Sequence, residues 1–413
     1  MQKSTTTFFW GASTSSHQVE GNTKNDWSEW EHANAERLAK VARENPPAGG
    51  WPDYALEKDP NPLQEENYVS GSACDHYNKF EEDFELAKKL GHSAHRISLE
   101  WSRIEPEEGV FDPGAIEHYR KVFASLKNNG LEPFVTVWHW TLPLWLKNKN
   151  GVLNKNFPVY FEKYAEKVTS EFKNDVKFWI TINEPSVYAV NSYLKGIWPP
   201  QKKNPFSFWL CRSNLIKAHQ KSYLKIKSAA PNISVGLSEN IVYLESAGGL
   251  INNILKFLIN RFWNHYLFQR VRLDFIGLNY YFHSRINYGL NKNKNVVVSD
   301  MGWEIYPEGI YRVIKDLARY DLPIYVTENG IADSRDVLRE KFIKDHVAWI
   351  KRATEEGADV RGYFYWSLLD NFEWDKGFWP RFGLVEIDYK TMKREIRRSA
   401  FVYKEIIENW NKN

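Results

Sequence analysis

Apolar residues gather in eight short runs rich in Val, Ile, Phe, Tyr and Trp, at 8–14, 93–101, 132–140, 176–184, 233–240, 273–281, 323–329 and 360–369. Most lack a clean period of two, as expected of strands covered on both faces. Between them apolar residues recur at helical spacing. Segment 115–129 places Ile116, Tyr119, Val122, Phe123 and Leu126 on one stripe and stops at Gly130. Segment 158–172 opens on Pro158 and stripes Phe161, Tyr164, Ala165, Val168 and Phe172. The same spacing predicts helices over 75–90, 213–229, 307–320, 338–356 and 393–410. Strand and helix in eightfold alternation predict an α/β fold, a single (β/α)8 TIM barrel with its chemistry at the C-terminal strand ends. An open doubly wound sheet is the alternative, and no GxGxxG turn follows any run to favour it.

The Pro/Gly-rich stretch 45–71 reads as a loop inserted at the active-site end. No linker, repeat or low-complexity tail divides the chain, so 1–413 reads as one catalytic barrel domain. Segment 249–272 has two readings. Its apolar residues Leu250, Ile251, Ile254, Leu255, Leu258, Phe262 and Tyr266, mixed with basic ones, suit either an interfacial membrane helix or an outer barrel helix packed on its neighbours. The barrel helix is the reading adopted.

Composition narrows the function. Of 413 residues, 43% are hydrophobic and 26% charged, the balance of a globular chain with a large core. A net charge of +3, with Lys and Arg interspersed among acids, gives no footprint for nucleic acid or a membrane surface. Cys74 and Cys211 cannot form a disulfide framework or a metal site. With no leader pattern at the N-terminus and no long apolar span, a cytoplasmic location is expected. The 18 tryptophans can fill a core, and can also wall a carbohydrate site.

The strand ends carry an unusual set of polar groups: His17, Gln18 and Glu20; Arg96 and Glu100; His139 and Trp140; Asn183 and Glu184; Asn279 to Tyr281; Glu328 and Asn329; Trp366, Asp370, Glu373 and Trp374. Glu20, Glu100 and Asp370 read equally well as structural ion-pair partners. Glu184 and Glu328 differ, because each closes an apolar run where a charge is poorly placed without a task. Pro185 excludes helical geometry at Glu184 and is expected to keep the strand end extended. Runs four and seven face each other across a barrel. Two facing carboxyls between aromatic walls meet the needs of glycoside hydrolysis: one attacks the anomeric carbon or activates water, the other protonates the leaving oxygen. Arg96 and a tyrosine hydroxyl are placed to hold the nucleophile ionised, while burial beside its charged partner would keep the acid protonated.

These residues resemble glycoside hydrolase family 1, the retaining β-glycosidases, over nearly the whole chain. The matching motifs include Phe9-Trp10-Gly11-Ala12-Ser13, Gln18-Val19-Glu20-Gly21, Glu100-Trp101-Ser102-Arg103-Ile104, Thr181-Ile182-Asn183-Glu184-Pro185, Gly277-Leu278-Asn279-Tyr280-Tyr281, Thr327-Glu328-Asn329-Gly330 and Trp366-Ser367-Leu368-Leu369-Asp370-Asn371-Phe372-Glu373-Trp374. The resemblance implies Glu184 as general acid/base and Glu328 as nucleophile, with Tyr281 and Arg96 aligning Glu328. It implies Asn183 on the sugar 2-hydroxyl, Gln18, His139, Glu373 and Trp374 on the other hydroxyls, Trp366 as stacking floor and Trp303 as the aglycone platform. It further implies a cis peptide at Trp366-Ser367 and a glycoside or short oligosaccharide as substrate, with no metal or cofactor.

Glu373 is similar to the carboxylate of members acting on unphosphorylated sugars; Lys376 nearby is the feature against this reading. Two departures stand out: the connections after runs five and six are short, and His139-Trp140-Thr141 carries Trp and Thr where many relatives have Phe and Asp. They leave the aglycone and the choice among glucose, galactose, fucose and mannose open. A transglycosylase would use the same residues, and a sugar-binding barrel would have no reason to keep both glutamates. Oligomeric state is not legible.

Overall fold

The computed structural model describes residues 7–47 and 49–410. Residues 1–6, part of the segment read for a leader, and Ala48 in the inserted loop lie outside the described residues. Eight parallel strands close into a barrel: β1 (Phe9–Ser13), β2 (Ala94–Ser98), β3 (Glu132–Trp138), β4 (Phe178–Asn183), β5 (Ser234–Asn240), β6 (Phe275–Asn279), β7 (Ile324–Asn329) and β8 (Val360–Trp366). Their order around the ring is β1-β8-β7-β6-β5-β4-β3-β2, so β4 and β7 stand apart with β5 and β6 between them. Each predicted run contains one strand, and several strands stop short of the predicted end because the polar residues there belong to the connections above the barrel.

Large rings plug the lower barrel. Phe134 and Phe178 stack at 4.3 Å, and Tyr325 meets Phe134 at 5.2 Å and Phe275 at 5.2 Å. Gly236 on β5 makes room for this layer, since a Cβ there would stand 2.4 Å from the Phe275 ring. With its base filled by side chains, the barrel can open only at the other end. Helices form the outer layer as their stripes predict. In Pro113–Asn128 the Asp112 carboxylate accepts from the Ala115 N–H at 3.0 Å, and Ile116, Tyr119, Val122, Phe123 and Leu126 are buried.

Three expectations need correction, and one helix has no counterpart among them. A 19-residue helix, Asp26–Glu44, precedes the inserted stretch; past Trp27 and Trp30 its buried apolar stripe is alanine alone (Ala35, Ala39, Ala42), too weakly apolar to stand out among charges. Residues 45–71 are not all loop: helix Asp53–Leu56 and the 3-10 turn Glu65–Tyr68 lie within them, and Asn67 bonds the backbone of Lys376, Phe378 and Trp379 beside the barrel mouth. The helix expected over 393–410 begins at Arg398, because Lys393–Ile396 pairs antiparallel with Val385–Asp388. The helix expected from 213 starts at Pro205, whose first-turn proline follows an Asn204 cap.

Asp370 fastens the exit of β8 to this C-terminal hairpin. Its carboxylate accepts two bonds from Arg397, at 2.8 and 2.9 Å, with both residues buried. Burial would raise the Asp370 carboxyl, but the charges and hydrogen bonds of Arg397, then Arg381, hold it below the usual range. Its stabilising share is therefore present at neutral pH and is lost only in strong acid. Asp370→Asn is expected to cost about 3–5 kcal/mol by leaving buried guanidinium charge unpaired. A urea midpoint unchanged from wild type would contradict this.

Candidate active site

The open end of the barrel holds a cavity of about 720 Å³. Gln18, His139, Glu184, Tyr281, Trp303, Glu328, Trp366, Glu373 and Trp374 line it, delivered by the ends of β7 and β8 and by the segments that follow β1, β3, β4, β6 and β8. Asn183 and Arg96 sit one layer beneath, on β4 and β2, fully buried.

Glu328 closes β7 with both carboxylate oxygens engaged. Arg96 Nη1 donates to Oε1, and the Tyr281 hydroxyl donates to Oε2 at 2.7 Å. Burial, with the Glu328 charge beside it, raises Tyr281 well above the usual phenol range, so it remains an O–H donor. Arg96 is spent on this floor: Nε donates to Thr136 Oγ1 at 3.1 Å, Nη2 to Asn183 Oδ1 at 2.7 Å. Gly330 follows where a Cβ would lie 1.8 Å from the Trp366 carbonyl, so the β7 exit packs directly on the β8 exit.

Glu184 sits differently. Its backbone N–H still bonds Ser238 on β5 at 2.8 Å, but its φ of 43° is left-handed, not the extended form expected before proline. Proline excludes the right-handed helical form, and the chain must still turn at once into helix Pro185–Ala189, which the left-handed residue achieves. The carboxyl accepts one bond, from Asn279 Nδ2 at 2.8 Å. Burial, and then the charge of Glu328, push it well above the ordinary carboxylate range. Asn279 Nδ2 also reaches Asn183 Oδ1 at 3.2 Å, so a chain of contacts runs Glu184–Asn279–Asn183–Arg96–Glu328.

The remaining groups form the walls. Burial, then the Arg96 charge, keep His139 neutral; Asn183 Nδ2 contacts its Nε2 at 3.0 Å. Gln18 Nε2 donates to Phe372 O at 2.8 Å and approaches Glu373 Oε2 at 3.4 Å. Burial, then the Glu328 charge, lift the Glu373 carboxyl to about 8. Trp366 and Trp374 flank His139, at ring separations of 6.1 and 5.9 Å, and the Trp366-Ser367 peptide is cis. Trp303 packs on Tyr281 at 5.7 Å on the outer side. Lys376 is ion-paired to Asp375 at 2.9 Å.

The other rim carboxylates are structural. Glu20 accepts from Arg103 and Tyr119, and Glu100 from Asn25, Ser102 and Thr141. His17 bonds Glu31 behind the wall that Trp374 forms. Replacing Tyr281 by Phe removes a hydrogen bond to a charged group, worth about 1.5–3 kcal/mol. A loss of about 10- to 100-fold in kcat/KM is expected, and a change under threefold would contradict the contact's importance.

The chain is similar to known enzymes. The family model described as Glycosyl hydrolase family 1 covers residues 2–267 and 264–412. The chain belongs to this family. It is 31% identical to a 1,4-beta-D-glucan glucohydrolase of Thermotoga neapolitana, over 99% of both chains. It is 33% identical to a beta-galactosidase of Saccharolobus solfataricus, over 78% of this chain and 82% of that one. A beta-glycosidase from Pyrococcus horikoshii superposes with a TM-score of 0.84 at 35% identity, covering 97% of this chain and 93% of that one. The family 1 chain is therefore a glycoside hydrolase acting on β-glycosides. Among its described residues no cluster of His, Cys, Asp and Glu is arranged to hold a metal.

Two groups of this family 1 site escaped the sequence reading. Asn279 stands at a strand end in the sequence, and its bond to Glu184 is not legible there. Glu239 closes β5 and accepts from the Ser186 N–H at 3.2 Å and the Asn240 N–H at 3.0 Å, its carboxyl lifted by burial to about 7. The signal was present: Glu239 ends an apolar run as Glu184 and Glu328 do.

Proposed function

We propose that the protein is a retaining exo-β-glycosidase of unphosphorylated gluco- or galacto-configured β-glycosides, acting through a covalent glycosyl-enzyme. The observation that carries this reading is the asymmetry of the two carboxyls. Glu328 is held by a guanidinium and a phenol, whereas Glu184 has one amide donor and a raised proton affinity.

In the first step Glu328 attacks C1 as the bond to the aglycone oxygen breaks, and that oxygen takes the Glu184 proton. Ester formation neutralises Glu328, which removes the charge that held the Glu184 proton on. Glu184 can then accept a proton from water as its oxygen attacks C1, releasing the sugar with retained configuration and restoring both groups. Asn183, fixed by Arg96 and Asn279, underlies the 2-hydroxyl; Gln18, His139, Glu373 and Trp374 face the other hydroxyls over the Trp366 floor. A carboxyl at Glu373, and an ammonium at Lys376 already paired to Asp375, disfavour a sugar phosphate. The named relatives are hydrolases, so water rather than a second sugar is the proposed acceptor.

Proton NMR of the first-formed sugar tests the mechanism. A β-anomer from a β-glycoside is expected, and an α-anomer would overturn double displacement. A panel of nitrophenyl β-glycosides fixes the glycone, with turnover expected on the glucoside or galactoside.

A further inference from the structure

Helix Leu250–Trp263 does not behave as the outer barrel helix expected of it. Its inner face, Leu255, Ile259 and Trp263, packs on Val242, Leu244 and Ile286. Its outer face is also apolar: Ile254, Phe257 and Leu258 are 48%, 64% and 54% exposed, with Leu250, Ile251 and Phe262 exposed beside them. A helix with apolar residues on both its inner and its outer face is normally covered on both, and a contiguous uncovered patch marks an interaction surface.

The active-site cavity leads to this helix. Beyond Glu184 and Trp303 its wall turns apolar, through Val190, Phe208, Val242, Ile259, Phe262 and Phe282. Leu194, Ile197 and Leu290 line the same cavity and are also exposed, so they form its rim. The helix thus walls the channel with one face and meets solvent with the other.

Charge identifies the occupant. Net charge is small, but its distribution is uneven: residues 185–238 contain no Asp or Glu, and the helix itself carries only Lys256 and Arg261. Among the described residues Lys195, Lys203, Lys256, Arg261, Lys292 and Lys294, in the segments around the rim, enter no ion pair with an acid. Exposed apolar side chains on a helix whose own charges are the unpaired Lys256 and Arg261 complement an anionic lipid surface. No helix among the described residues is long and apolar enough to cross a membrane, so this contact would be interfacial.

We propose that the enzyme works at an anionic lipid surface, seated by the outer face of helix Leu250–Trp263, on β-glycosides whose aglycone is a long apolar chain lying in the channel. The proposal rests on the β-glycosidase reading above and names its substrate class. It replaces the expectation that membranes are not partners.

Two measurements test it. For methyl, butyl and octyl β-glucosides, kcat/KM is expected to rise by up to roughly fourfold per added methylene. Wild-type protein is expected to sediment with vesicles of equal phosphatidylglycerol and phosphatidylcholine, and to be released by salt. The double variant Ile254→Asp/Leu258→Asp should lose at least tenfold in vesicle partitioning while turning over nitrophenyl β-glucoside as wild type does. Lys256→Glu/Arg261→Glu should weaken the same binding without touching the apolar face. A flat chain-length series, equal sedimentation of wild type and double variant, or a wild-type dimer that the double variant breaks without any vesicle binding would each overturn the proposal. Failure on every β-glycoside would instead overturn the β-glycosidase function, and vesicle sedimentation still reads the surface separately.

Discussion

Glu328→Ala is expected to lower kcat by at least about 10⁴-fold with the fold intact, a loss of about 5.5 kcal/mol of transition-state stabilisation. The size follows from what is removed. Of the three glutamates that line the cavity, Glu328 is the one with both oxygens met by donors, and without it Arg96 keeps Asn183 and Thr136 as partners, so the floor survives. A small nucleophilic anion such as azide fits the space vacated by the side chain. It should restore turnover of an activated β-glycoside and yield the α-glycosyl azide, the product of a single displacement from the Glu328 side. Near-wild-type activity, or rescue giving the β-azide, would assign the attacking role elsewhere.

Glu184→Ala should separate substrates by leaving group. A dinitrophenolate departs without a proton, so kcat/KM for a dinitrophenyl β-glycoside should fall less than about tenfold. An alkyl β-glycoside needs the proton, and its kcat/KM should fall by about 10²–10⁴-fold, the usual scale of general acid catalysis. The same residue sets a pH limb. The Glu184 proton is held well above the ordinary carboxylate range by burial and by the Glu328 charge. Activity on alkyl glycosides is therefore retained near neutrality and lost as pH rises through that raised value. In the Ala variant the alkaline limb should vanish for the dinitrophenyl substrate. Equal losses on both substrates would contradict the assignment.

The barrel was legible because each of its strands is covered on both faces and therefore reads as an apolar run with a helix after it. The proposed catalytic pair was legible for a related reason: Glu184 and Glu328 end such runs, and a buried carboxyl there stands out against its neighbours. Elements without that contrast were lost. Past Trp27 and Trp30 the Asp26–Glu44 helix buries only alanines as its apolar residues, between charged ones, and the Lys393–Ile396 strand is a charged segment that pairs only because Val385–Asp388 lies beside it. Contacts between strands distant in sequence were also beyond periodicity. Asn279 meets Glu184 across 95 positions, and Arg96 meets Glu328 across 232. The stripe at 249–272 was seen, but periodicity alone cannot tell whether an apolar face is covered, and the outer face of Leu250–Trp263 is open.

The most direct test of the account is to trap its intermediate. A 2-deoxy-2-fluoro β-glucoside with a dinitrophenyl leaving group slows the release of the sugar from the enzyme more than its attachment, so the ester accumulates. Mass spectrometry of the intact protein should show the addition of one fluorosugar, and peptic digestion should place it on Glu328. A label on Glu184 or on any other residue, or rapid turnover with no adduct at all, would contradict a covalent attack from β7.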